Sequence, residues 1–172
     1  MRGMRRFGWL SAAAVAAGLA VGVGPAAAAS TFVQGSGALR DLQTGTANAT
    51  DGATASFWAV QAGGESTHVL FVRGLDPDAA GTTFGAHVHV GPCVAGNGAA
   101  AGPHYNSDGG PATTENEVWL DFTVLPGGYG VARATVPFTI EPGDAQSVVI
   151  HALPTAPGGA AGARQACLPA QF

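Results

Sequence analysis

The chain has 172 residues, with eleven acidic residues against seven arginines and no lysine, for a net charge of −4. That balance excludes the basic footprint of a nucleic-acid binder and any strong attraction to anionic lipid surfaces. In so lightly charged a chain, five histidines and two cysteines carry most of the available chemistry.

Residues 1–29 read as an export signal. Arg2, Arg5 and Arg6 form a positive start, Leu10 to Val23 an apolar run, and Ala27, Ala28 and Ala29 a small-residue cleavage site. A single membrane anchor is the competing reading, but the run is short, is interrupted by Gly22, Gly24 and Pro25, and lacks a charged stop-transfer flank. No cysteine near the cleavage site offers a lipid attachment point. The expected product is a secreted or cell-envelope protein, residues 30–172, with no membrane insertion once the signal is removed. Roughly 140 residues suffice for one domain with its own core. Eleven acids against Arg40, Arg73, Arg133 and Arg164 leave it a net charge of about −7.

From there the chain reads as strands separated by glycine-rich turns. Thr31 to Val33, Ala53 to Gln61, Thr67 to Arg73, Thr83 to Val90, Glu117 to Val124, Gly130 to Phe138 and Ser147 to Leu153 are rich in Val, Thr, Phe and Trp. Turn chemistry lies between them at Gly63-Gly64, Asp76-Pro77-Asp78, Pro126-Gly127-Gly128 and Pro142-Gly143-Asp144. No stretch keeps a helical period over three turns, so the predicted class is all-β, a sandwich or flattened barrel. Two segments resist strand assignment, Gly91 to Thr114 and Pro154 to Ala163; long loops in a compact domain are more often functional than accidental.

The histidines gather around those loops. His87 and His89, two apart in G-A-H-V-H-V, leave the same face of a strand, with Val88 and Val90 on the other. His104 lies in A-G-P-H-Y-N and His151 in V-V-I-H-A. Neutral imidazoles are good ligands for copper and zinc, and four nitrogens suit copper better than magnesium or calcium. His-x-His alone is a weak signal, and each of the others taken singly reads equally as a hydrogen-bonded histidine. His68, in T-H-V-L-F-V-R, has no companion motif and reads as structural.

Cys93 and Cys167 are the only cysteines, and an even pair in an exported chain reads as one disulfide, worth about 4 kcal/mol for a loop of about 75 residues. A thiolate metal ligand is the weaker alternative. Arg164 stands three residues before Cys167 in G-A-R-Q-A-C, so the bridge would hold its guanidinium near the loop that follows His89, where it would draw a small anion toward a metal. The bland alternative is a surface arginine paired with a carboxylate.

Taken in order, G-A-H-V-H-V, A-G-P-H-Y-N, V-V-I-H-A and G-A-R-Q-A-C closely resemble the signature segments of the copper/zinc superoxide dismutase family, over most of the chain after the signal. The resemblance implies an immunoglobulin-like Greek-key sandwich, the architecture of that enzyme. It also implies copper on His87, His89, His104 and His151, Arg164 as the anion-guiding catalytic residue, a Cys93–Cys167 disulfide, and conversion of superoxide to oxygen and hydrogen peroxide by a cycling copper.

The zinc half of the family pattern is missing. No histidine occurs between His104 and His151; Asp108 and Glu117 stand where zinc histidines would be expected, and the spacing of Asp121 from Glu117 is one residue too long. The segment between His151 and Arg164 is short and uncharged, where the family commonly has a longer charged one. The chain thus resembles the copper-only branch, and zinc is not expected. His104, which the family shares between copper and zinc, then needs another partner for its second nitrogen, and Glu117 or Asp121 is the expected acceptor. Two other readings of the scaffold stay open: a non-catalytic copper-binding or copper-donor protein of the envelope, and a structural or adhesive sandwich that binds no copper.

Overall fold

Strict alternation in the two longest strands builds the first sheet. Strand β3 (Thr54–Ala62) buries Ala55, Phe57, Ala59 and Gln61, and β4 (Glu65–Arg73) buries Ser66, His68, Leu70 and Val72, the period of two that places every second side chain inside. They are joined at Gly63 and Gly64, whose φ values of 63° and 84° belong to the two-residue hairpin turn that glycine adopts without strain. The computed structural model describes residues 30–172; the leader expected over residues 1–29 lies outside the described residues.

The first sheet has the order β1-β3-β4-β8, with β1 Thr31–Ala38 and β8 Tyr129–Val136. The second has the order β2-β10-β9-β6, with β2 Arg40–Asp41, β6 Ala86–His89, β9 Ser147–His151 and β10 Arg164–Pro169. All pairings are antiparallel, and β5 (Thr83–Phe84) with β7 (Phe122–Thr123) forms a small third ladder. Neither sheet closes into a barrel, so the fold is a β-sandwich. Its core is one cluster that includes Phe57, Leu70, Val72, Val88, Leu120, Val148, Ile150 and Leu168.

Several strand boundaries differ from expectation. Thr83 to Val90 breaks at Gly85 into β5 and β6, and Glu117 to Val124 shrinks to β7 with isolated bridges at Glu117 and Trp119. Strand β10 has no counterpart among the expected strands because Arg-Gln-Ala-Cys-Leu-Pro holds no β-branched or aromatic residue; its pairing with β9 comes from burial of Ala166, Cys167 and Leu168.

His68 is structural, as its lack of a companion motif implies. It is fully buried between Phe57 and Phe172, and its Nε2 lies 2.7 Å from Ser66 Oγ, which donates to Phe138 O. Burial pulls its pKa down to about 4.

Candidate metal centre

β6 is buried on both sides, and that is what makes it a platform. Ala86 and Val88 enter the core, while His87 and His89 leave the opposite face of the second sheet. On the neighbouring strand β9, His151 shares that outer face, in register with Arg164 of β10. His104 arrives from the loop after β6: its segment runs antiparallel to the free edge of that strand, bridging His104 to His89, with Tyr105 N donating to Val88 O at 2.8 Å.

The four imidazoles converge. One ring nitrogen from each of His87, His89, His104 and His151 lies within 4.8 Å of the others. His87 and His104 stack with centroids 4.0 Å apart, and His89 Nε2 is 3.3 Å from His151 Nε2. Two metal–nitrogen bonds of about 2 Å span at most about 4 Å, so the cluster can hold a metal ion after closing by less than about an ångström.

Each ring is oriented by what its other nitrogen touches. His89 Nδ1 donates to Gly102 O at 3.1 Å and His151 Nδ1 to Gly162 O at 3.3 Å; a carbonyl can only accept, so both rings keep Nε2 unprotonated toward the cluster. His104 Nδ1 donates to Glu117 Oε2 at 2.8 Å, with the same result. His87 is turned the other way. Its Nε2 lies 2.7 Å from Thr155 Oγ1, and its Nδ1 is buried without any hydrogen-bond partner. With no hydrogen-bond partner and three other imidazole nitrogens converging on it, His87 Nδ1 has a lone pair free to ligate a metal.

The electrostatics favour neutral imidazoles. Burial, followed by the fields of His104, His151 and His89, lowers the His87 pKa to about 2. For His89, burial and then His104 lower it to about 3 despite the Gly102 carbonyl, with Arg164 contributing. His151 falls to about 4, chiefly through burial, with the Gly162 carbonyl opposing and His104 and Arg164 adding to the fall. Neutral imidazole is the form that binds metals.

Of the two acids expected to serve His104, the structure places only Glu117 there. Glu117 Oε2 also accepts from Trp119 Nε1 at 2.9 Å, and Oε1 faces Asn106 Nδ2 at 3.4 Å. Asp121, the alternative acceptor, instead accepts from Thr155 N at 2.7 Å and Thr155 Oγ1 at 2.6 Å, with Ala86 N at 3.4 Å. The alternation is as expected, since Val118, Leu120 and Phe122 enter the core and Glu117, Trp119 and Asp121 fall on the other side, but the segment runs along the site: Glu117 bridges Asn106, Trp119 bridges His87, and Asp121, two residues further on, meets Thr155 rather than His104. Asp108 is exposed and held by Gly110 N and Asn116 Nδ2, outside the cluster.

Cys93 and Cys167 form the disulfide, packed with Leu42, Ala101 and Val149 in a small apolar cluster beneath the loop that follows β6. In a regular strand Arg164 and Cys167, three apart, would face opposite sides. A bulge between Arg164 and Ala166 shifts the register, so Arg164 pairs with His151 and Cys167 with Val149, both on the outer face. Arg164 Nη1 donates to Gly98 O at 2.6 Å, which ties the guanidinium to the disulfide-anchored loop. Burial lowers its pKa, yet a guanidinium keeps its charge in any protein setting.

Sequence reasoning missed Thr155 and the Gly102 and Gly162 carbonyls. Backbone acceptors carry no residue-type signal, and Thr155 lies 68 residues from the histidine it touches. The disulfide suits an oxidising compartment, and among the described residues no helix is long and apolar enough to cross a membrane. Comparison of the chain with protein-family models and with curated proteins finds no match, so its function rests on the geometry of the site itself.

Proposed function

We propose that this chain is an exported superoxide dismutase of the copper-only kind, with copper held by His87, His89, His104 and His151. The observation that carries the reading is the cluster itself: four converging imidazole nitrogens, on three buried rings and one half-buried ring, with no carboxylate among them, beside a guanidinium anchored within reach of their field. An all-nitrogen set suits copper, and a tethered cation beside it suits a small anionic substrate. Copper, when bound, supplies a one-electron couple able to accept an electron from one superoxide and return it to another.

The chain's own residues account for the rest. Arg164 attracts the anion and, held by Gly98 O, loses little freedom in doing so. With a net charge of about −7, the mature protein gives the substrate no long-range help, so this local attraction does the guiding. His104 alone among the four is partly exposed, and with Glu117 it lines a cleft of about 600 Å³ shared with Val90, Tyr105 and Asn106. A proton on His104 Nδ1 is therefore held against a carboxylate that borders solvent, a route for the protons that peroxide requires.

The zinc-free part of the reading is supported by where the carboxylates go. Glu117 Oε2 is taken by two N–H donors, His104 and Trp119, where a cation would need its lone pairs free. Asp121 is occupied by Thr155.

Elemental analysis of the purified protein, with a superoxide assay before and after copper loading, tests the proposal. One equivalent of copper, no tightly held zinc and copper-dependent activity are expected; a full equivalent of tightly held zinc would overturn the copper-only part. Arg164→Gln separates the enzyme from a copper donor. It should leave copper content unchanged and slow turnover, most visibly at low ionic strength; unchanged turnover at all salt concentrations would favour the donor.

A further inference from the structure

His87 is the one cluster histidine that turns a different nitrogen inward, and the loop of residues 152–163 explains why. Asp121, as a carboxylate, can only accept, so the 2.6 Å contact takes the single proton of Thr155 Oγ1. The same hydroxyl is 2.7 Å from His87 Nε2, and having given its proton away it can only accept there. The proton of His87 is therefore on Nε2, and Nδ1 is left as a bare lone pair in the cluster, matching its lack of any partner. Polarity runs one way along the chain, from His87 Nε2–H to Thr155 Oγ1–H to Asp121.

We propose that Thr155 is a positioning residue that selects the tautomer of His87 and so leaves Nδ1 as the atom His87 offers a metal. The metal half of this inference rests on the function proposed above; the tautomer half stands on the apoprotein alone.

The loop is laid down to make this contact. Thr155 N also donates to Asp121 Oδ2 at 2.7 Å, so one carboxylate grips both the backbone and the side chain of the residue. Gly85 leaves room for it: a Cβ there would lie 2.8 Å from Leu153 O and Ala161 Cβ and 3.0 Å from Thr155 Oγ1. The same loop brings Gly162 O to His151 and starts and ends on His151 and Arg164. Threonine fits the task because its hydroxyl can accept and donate at once, which neither a carbonyl nor an amide N–H can do.

The test is long-range proton–nitrogen NMR of the apoprotein near neutral pH, which distinguishes the two imidazole tautomers, alongside competitive Cu(II) titration against a chelator. His87 should carry its proton on Nε2, and His89, His104 and His151 on Nδ1. Thr155→Val, nearly isosteric but without the hydroxyl, should convert His87 to the other tautomer or a mixture and weaken Cu(II) binding by about 10–100-fold. Thr155→Ser should restore both, which a purely structural role for the threonine methyl would not predict. A protonated Nδ1 on His87 in the native protein, or an unchanged tautomer in Thr155→Val, would overturn the inference. If the tautomers behave as stated while Cu(II) does not bind, the copper reading fails and the assignment of Thr155 stands.

Discussion

Glu117 is where charge and geometry can be separated by experiment. Its Oε2 accepts from His104 Nδ1 at 2.8 Å and Trp119 Nε1 at 2.9 Å, and the carboxylate is nearly buried. Glu117→Ala removes both acceptors at once. Leaving a largely buried N–H unpaired costs about 1–3 kcal/mol, so the apoprotein should lose stability on that scale. His104, no longer held in the Nδ1–H form, should bind Cu(II) about 10–100-fold more weakly, equivalent to about 1.4–2.7 kcal/mol. Glu117→Gln behaves differently. Its amide oxygen at the Oε2 position accepts the same two hydrogen bonds, while its NH₂ gives up the longer contact with Asn106 Nδ2, whose own oxygen is held by Gly109 N at 2.8 Å. His104 thus keeps its acceptor and loses only the charge behind it, and Cu(II) affinity should stay within about tenfold of the native value. Chelator competition and chemical denaturation of the three proteins measure both quantities. Equal losses in the Gln and Ala variants would show that charge, not orientation, is what Glu117 provides; an unaffected Ala variant would remove Glu117 from the site's support altogether.

Three further outcomes follow from the same geometry. His68 has a pKa of about 4 in the fold against 6.5 for the free side chain, so the unfolded chain binds the extra proton between those values; the stability involved is intact above about pH 6.5 and falls by about 3 kcal/mol as pH drops through 4. His68→Leu should lack that dependence, so native stability measured relative to the variant by denaturation should fall by about 3 kcal/mol from pH 7 to 4; parallel profiles would refute it. Replacing Cys93 and Cys167 by Ala should lower stability by about 2–5 kcal/mol and loosen the loop that anchors Arg164 through Gly98, read as faster amide exchange between Gly91 and Gly102; unchanged exchange there would mean the loop is held by its packing alone. Gly85→Ala forces the segment from Leu153 to Ala161 outward, at about 1–3 kcal/mol, and should weaken Cu(II) binding together with amide protection at Thr155; a variant with native protection would show that the loop yields without leaving Asp121.

Much of the site is legible in the amino-acid sequence. The pairing of His87 and His89 on one face follows from a period of two, which no tertiary contact alters. The Gly63-Gly64 hairpin follows from turn chemistry and the disulfide from cysteine count. Alternation also puts Glu117, Trp119 and Asp121 together on the site-facing side. Apart from the disulfide, which joins residues 74 apart and follows from there being only two cysteines, these are local properties, written in neighbours one to four residues apart.

What the local pattern does not supply is which distant group each of these meets. Glu117 rather than Asp121 serves His104, because the segment pairs Glu117 with Asn106 and Trp119 with His87 and so delivers Asp121 to Thr155, 34 residues away. Arg164 and Cys167 share a face only because a bulge breaks the parity that their spacing implies. The inward nitrogen of each histidine is set by Gly102, Gly162, Glu117 and Thr155, brought in by loops that carry no periodicity. Residue type determines that an imidazole can bind a metal; the proton that decides which nitrogen does so is placed by hydrogen-bond partners that only the folded chain assembles.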